Sequence, residues 1–193
     1  MLTTLIAATM LGQPAPQYIC PVMTNRPTSK RFAVDYVNSR YYVCCDQCIR
    51  TFSRRPEGFI KQAASANRLI GDVIFDPITH VRVQPEKALS KQRKDHVIWH
   101  FSQEQNAIKF LAEVAVYSAY PNKECLTCAS CDVKMKTLGD AFGYVDYSGV
   151  RYFLHSQECF DKLNANPRQV ETNRNLAPES IKGHIVPIPG IDF

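Results

Sequence analysis

The chain has no long apolar run. Of its 193 residues 45% are hydrophobic, which marks globular material, yet no stretch carries the ~20 consecutive apolar residues a bilayer-spanning helix needs. Charge of one sign is scarce as well. The net charge is +5, a mild excess that suits an anionic surface only weakly. The basic segment "KALSKQRKDH" (Lys87 to His96) reads as a solvated loop, so no nucleic-acid partner is expected. Paired carboxylates, a glycine-rich phosphate loop and a nucleophile elbow are all missing, and no enzymatic activity is expected.

Cysteine is present in excess. Eight of them exceed the usual usage for this length but fall short of a small disulfide scaffold, and three crowd into "YYVCCDQCIRTF", residues 41–52. The rest of the chain explains this crowding by internal repetition. Shifting Cys20 by 111 positions onto Cys131 brings Cys44 onto His155, Cys48 onto Cys159, Phe52 onto Leu163 and Pro56 onto Pro167, without a gap. The strand "RYYV" (Arg40 to Val43) falls on "RYFL" (Arg151 to Leu154), and Asp35-Tyr36 on Asp146-Tyr147. A shift of 56 finds a third, thiol-free copy, with Cys20 on Asp76, Cys44 on His100, Cys48 on Glu104 and Phe52 on Ile108. This predicts three units, over 18–63, 74–118 and 125–171, between an N-terminal segment (1–17) and an extended tail (172–193). Such repetition is the signature of stacked supersecondary units.

Each unit reads as α+β: an opening turn, a β-hairpin turning near Asn38-Ser39 or Ser148-Gly149, and a helix. In "CDQCIRTFSRRP" Cys45, Cys48, Ile49 and Phe52 recur at helical spacing before Pro56. In "SQECFDKLNANP" Cys159, Phe160 and Leu163 do the same after the N-cap candidate Ser156. The middle unit predicts a longer apolar helix over about 103–117.

Three sulfurs and an imidazole, Cys128-x-x-Cys131 with His155-x-x-x-Cys159, form a common structural zinc inventory. The alternatives are a pair of disulfides, or a satisfied core His155 with unrelated thiols. The first unit offers Cys20, Cys44 and Cys48, with Gln17 where Cys128 would fall. Cys45 is a candidate fourth ligand, and three thiolates without a fourth suit Cu(I). Cys45 and Cys125 are otherwise free to pair, ligate or stay reduced. Asp76, His100 and Glu104 form either a hard-ligand site or, as expected of a histidine among apolar residues, simple core packing.

The stretch "CPVM…AVDYVNSRYYVCCDQCIRTFSRRPEGF" resembles a YHS domain, a relative of the TRASH metal-binding modules. "YVDYSGVRYFLHSQECFDKLNANP" is similar, with His155 in place of the strand-end cysteine, and "FDPITHV…VIWHFSQEQNAIKFL" resembles the thiol-free form. The resemblance implies tandem treble-clef-like modules, each a β-hairpin and helix clasping a metal, and a link to copper or zinc handling. The run Leu2 to Leu11, followed by Gly12, Pro14 and Pro16, is similar to the apolar region of a secretory signal peptide; the alternative is a disordered or packed N-terminal strand. Together these features predict a periplasmic or secreted protein that buffers, carries or senses zinc or Cu(I), with no transmembrane segment in the mature chain. The competing expectation is a structural or interaction module for an envelope protein, stapled by zinc or disulfides.

Overall fold

The computed structural model describes residues 17–181 and, as backbone alone, 186–188. The apolar run Leu2 to Leu11 lies outside the described residues. The fold is mixed α+β, with two small sheets and five α-helices among the described residues.

A hairpin followed by a helix occurs three times. Strands β1 (Phe32–Tyr36) and β2 (Ser39–Val43) precede α1 (Asp46–Arg54). A second helix, α2 (Pro56–Ser65), and a short strand, β3 (Gly71–Val73), lead to β4 (Ser90–Lys94), β5 (Val97–Phe101) and α3 (Glu104–Ala112). After α4 (Val114–Tyr117) and β6 (Lys123–Cys125) come β7 (Gly143–Tyr147), β8 (Val150–Leu154) and α5 (Gln157–Ala165). Strands β9 (Glu179–Ser180) and β10 (Val186–Ile188) close the described chain.

The hairpins form where two-residue turns accept left-handed backbone. Val37 and Asn38 (φ 47° and 59°) turn the first, and Ser148 and Gly149 (φ 48° and 75°) turn the last. The pattern is that of hairpin turns whose twist matches the strands. The first turn thus sits one residue earlier than Asn38-Ser39. Each helix buries one stripe against its hairpin: Cys48, Ile49 and Phe52 on α1, Ala107 and Phe110 on α3, Cys159 and Leu163 on α5. Phe52, Phe110 and Leu163 are wholly buried at matching places, and truncating such a side chain costs about 2–5 kcal/mol.

The helix expected over 103–117 is broken. Glu113 leaves helical geometry (φ −137°, ψ 50°) and separates α3 from α4. Pro56 lies beyond the end of α1, as expected, and starts α2, where its missing N–H is harmless.

The six-stranded sheet runs β10-β1-β2-β3-β5-β4 and the four-stranded sheet β7-β8-β6-β9. Strand β3 joins the first two hairpins, antiparallel to β2 and parallel to β5. Gly71 is required there, because a Cβ would lie 2.3 Å from the Arg40 carbonyl oxygen. The segment expected as an extended tail is paired: β9 joins β6, and β10 joins the edge strand β1. The basic segment becomes the edge strand β4 and its turn. Lysines on an edge strand discourage pairing with other chains. No helix among the described residues is long and apolar enough to cross a membrane.

Candidate metal centres

Each unit opens with a turn closed by a backbone bond. Cys20 N donates to Arg26 O (2.8 Å), Asp76 N to Val81 O (2.9 Å) and Cys128 N to Val133 O (2.8 Å). Cys20, Asp76 and Cys128 therefore occupy one place, and the register that set Cys20 on Cys131 does not hold at the turn. The hairpins and helices of the first and last units do match at 111, since 32–36, 39–43 and 46–54 become 143–147, 150–154 and 157–165. The connecting segment absorbs the difference. It runs 12 residues from Cys20 to Phe32, 14 from Asp76 to Ser90 and 15 from Cys128 to Gly143. Counted from the turn, Met23 rather than a cysteine matches Cys131.

In the last unit the ligand atoms of Cys128, Cys131, His155 and Cys159 all lie within 4.8 Å of one another. Cys131 Sγ is 3.3 Å from His155 Nδ1. A tetrahedral zinc with Zn–S of ~2.3 Å sets its sulfurs about 3.8 Å apart, so this set needs only a slight contraction around an ion. His155 follows β8 directly and Cys159 lies on the first turn of α5, whose N-cap Ser156 accepts from Cys159 N (3.3 Å). Burial opposes ionisation of Cys128, but hydrogen bonds from the His155 side chain and backbone and the Ser130 amide bring it down to about 7. Burial and the neighbouring thiols push Cys131 up to about 11. One thiol is thus ready to ligate near neutrality, while the other releases its proton on binding.

Sequence reasoning missed the clamp behind this knuckle. Asp132 adopts left-handed backbone (φ 61°), and its carboxylate accepts from Asn173 Nδ2 (2.9 Å) and Asn175 Nδ2 (2.6 Å). Asn173 also donates to Ala129 O (3.2 Å), and Ser130 Oγ to Cys159 O (3.2 Å). The asparagine contacts join residues more than forty positions apart and the serine contact residues 29 apart, and no local spacing announces them.

In the first unit the sulfurs of Cys20, Cys44 and Cys48 lie within 4.8 Å of one another, with Cys44 and Cys48 3.6 Å apart. Thr28 Oγ1 donates to Val43 O (2.9 Å) and ties the end of the opening turn to the strand end that presents Cys44. Cys45 is not one of the mutually close set. It is the N-cap residue of α1, and its sulfur lies 3.4 Å from that of Cys48. The Cys48 backbone N–H and side chain lower its pKa, whereas burial raises those of Cys44 and Cys48. Cys125 is buried on β6, donates to Thr127 O (3.5 Å) and belongs to the core of the last unit. None of the eight cysteines is disulfide-bonded.

The middle unit corrects the pairing of Asp76 with His100 and Glu104. Its hairpin and helix sit 58 residues after the first, so Ser102 matches Cys44 and Asn106 matches Cys48. Asp76 Oδ2 accepts from Ser102 N (2.8 Å), Ser102 Oγ (2.7 Å) and Asn106 Nδ2 (2.8 Å). Its Oδ1 accepts from Ile78 N (2.9 Å) and Thr79 N (3.4 Å). A satisfied carboxylate network therefore occupies the place that sulfurs occupy in the other units, and neither a hard-ligand site nor plain apolar packing describes it. His100 turns elsewhere. It meets Asp72 (3.0 Å), which also accepts from Tyr18 (2.6 Å), Tyr42 (2.7 Å) and Lys30 (3.1 Å). Burial opposes the Asp72 charge, but these donors hold its pKa at about 2.

Comparison with protein-family models, with curated proteins and with solved structures finds no match to this chain. The clusters themselves therefore carry the functional reading: two of the three hairpin–helix units gather Cys and His donors that can hold a metal ion.

Proposed function

We propose that the protein is an exported metal-binding protein that buffers, carries or senses zinc or copper through two YHS-like, treble-clef-like modules, and that it is not an enzyme. One observation carries the reading. The same two structural places, the opening turn and the strand-end and first helical turn, gather ligands in the first and last units, and in the middle unit they hold a carboxylate hydrogen-bond network. Donor chemistry then divides the sites. Three sulfurs and an imidazole suit tetrahedral zinc. Three thiolates form a softer, lower-coordinate set that favours Cu(I), with Cys45 beside it as a further sulfur donor.

The second reading, a zinc-stapled module that binds an envelope protein, draws on the division of the buried apolar residues into several clusters, since small cores benefit from a metal staple. Competition decides between them. Zinc-loaded protein is titrated with Cu(I) under reducing conditions, with zinc release followed by a chromophoric chelator. Metal handling predicts that one ion exchanges readily and the other resists. Two ions that both resist exchange refute handling and favour the staple.

A further inference from the structure

Away from the thiol clusters, a cavity of about 330 Å³ opens where the first hairpin, β5 and the segment after α4 meet. Its walls are aromatic: Tyr36, Tyr41, Trp99, Tyr117 and Tyr120 line it. Its charged groups already have partners. Lys94 pairs with Asp95 (3.4 Å), Arg151 with Asp146 (2.7 Å), and Glu57 accepts from the Tyr36 hydroxyl (3.3 Å). A charged ligand would find no free counter-charge among them.

Two buried polar atoms of the lining residues lack a hydrogen-bond partner among the described residues: Asn38 Oδ1 and His96 Nδ1. Asn38 is only 6% exposed and is fixed by its left-handed turn (φ 59°). His96 is stacked on Tyr41, with ring centroids 5.9 Å apart and planes at 15°. Its Nε2 lies 3.4 Å from the Tyr41 hydroxyl. A Tyr41 phenol that donates to Nε2 leaves the imidazole proton on Nδ1. Burial lowers the His96 pKa, so the ring is neutral. The wall thus holds one acceptor, at Asn38, and one donor, at His96. An unmet buried group of this kind costs about 1–3 kcal/mol, and the terminal torsions of Asn and His are soft enough to turn both atoms toward a guest.

We propose that this cavity binds a small uncharged aromatic amide or lactam, its ring packed among the tyrosines and Trp99, its N–H donating to Asn38 Oδ1 and its carbonyl accepting from His96 Nδ1. The aromatic walls select the ring, the paired charges select neutrality, and the unmet acceptor and donor select an amide group.

Trp99 is the chain's only tryptophan, so its fluorescence reports on the cavity. The full-length protein is titrated with benzamide and 2-pyridone, with toluene and benzoate as ring-matched controls without an amide. Both amides should quench saturably and bind roughly tenfold more tightly than either control. Asn38→Gly keeps the left-handed turn, and His96→Phe keeps the ring; each should weaken amide binding about fivefold or more while leaving toluene binding unchanged. Linear, non-saturating quenching by both amides overturns the proposal, as does equal affinity for amides and toluene. If a variant fails to fold, as judged by its melting curve, the amide-against-toluene comparison in the unmodified protein decides alone.

Discussion

Removing the Asp76 carboxylate tests whether hydrogen bonds replace a metal in the middle unit. Asp76 is fully buried, and its two oxygens take four bonds of 2.7–2.9 Å and a longer one of 3.4 Å. Asp76→Ala leaves Ser102 N and Asn106 Nδ2 without their acceptor, and Asn106 is itself buried. Bonds to a charged group contribute roughly 1.5–3 kcal/mol each, but they are not additive, and breaking a buried charged network costs about 3–5 kcal/mol in total. For a chain of this size, a loss of about 4 kcal/mol lowers the melting temperature by roughly 8–16 °C. The assay is thermal unfolding of the full chain with its metal content held constant. A fall of less than about 3 °C would refute the idea that this network holds the unit together. The converse follows from the register. Asp76→Cys, Ser102→Cys and Asn106→Cys combined should gain one metal equivalent, whereas Asp76→Cys, His100→Cys and Glu104→Cys should gain none.

Cys48→Ser and Cys159→Ser should each lose one metal equivalent by mass spectrometry, while His100→Ala should lose none and show only a lower melting temperature; full metal content in Cys159→Ser would remove the second site. Acid should act on Asp72. Its pKa falls from 3.8 unfolded to about 2 folded, so its stabilisation, roughly 2 kcal/mol, is complete above about pH 4 and is lost as pH falls toward 2. Asp72→Asn should flatten that part of the urea-midpoint profile, and an unchanged profile would contradict the assignment. Arg151 pairs with Asp146 through two nitrogens (2.8 and 2.7 Å) and lies 3.6 Å from the Tyr144 ring centroid. Arg151→Lys should therefore destabilise by about 1–3 kcal/mol in denaturant titration, and a change under ~0.5 kcal/mol would show that the fork geometry is not used.

The ungapped match of "RYYV" to "RYFL" located both outer hairpins and helices, because alternation and helical spacing are local properties. The ligand set Cys128, Cys131, His155 and Cys159 was legible for the same reason. The middle unit was misread because its connection from turn to hairpin is two residues longer than the first unit's. A constant shift of 56 therefore slid Cys44 onto His100 instead of Ser102. A two-residue slip keeps the strand alternation intact, so nothing in the hydrophobic pattern reveals it. The break at Glu113, the asparagine clamp on Asp132 and the pairing of β10 with β1 depend on contacts between distant segments, which no local periodicity encodes. Met23 was passed over because the turn register, rather than the residue type, marks its place.

The central claim is that two thiol-rich clusters hold metal. Its most direct test is the metal content of full-length protein purified without added metal or chelator, measured by mass spectrometry together with a count of free thiols after denaturation in chelator. The account predicts about two zinc or copper ions per chain, with the six cluster thiols of Cys20, Cys44, Cys48, Cys128, Cys131 and Cys159 and the adjacent Cys45 all reduced. A metal-free chain with these cysteines in disulfides would contradict it.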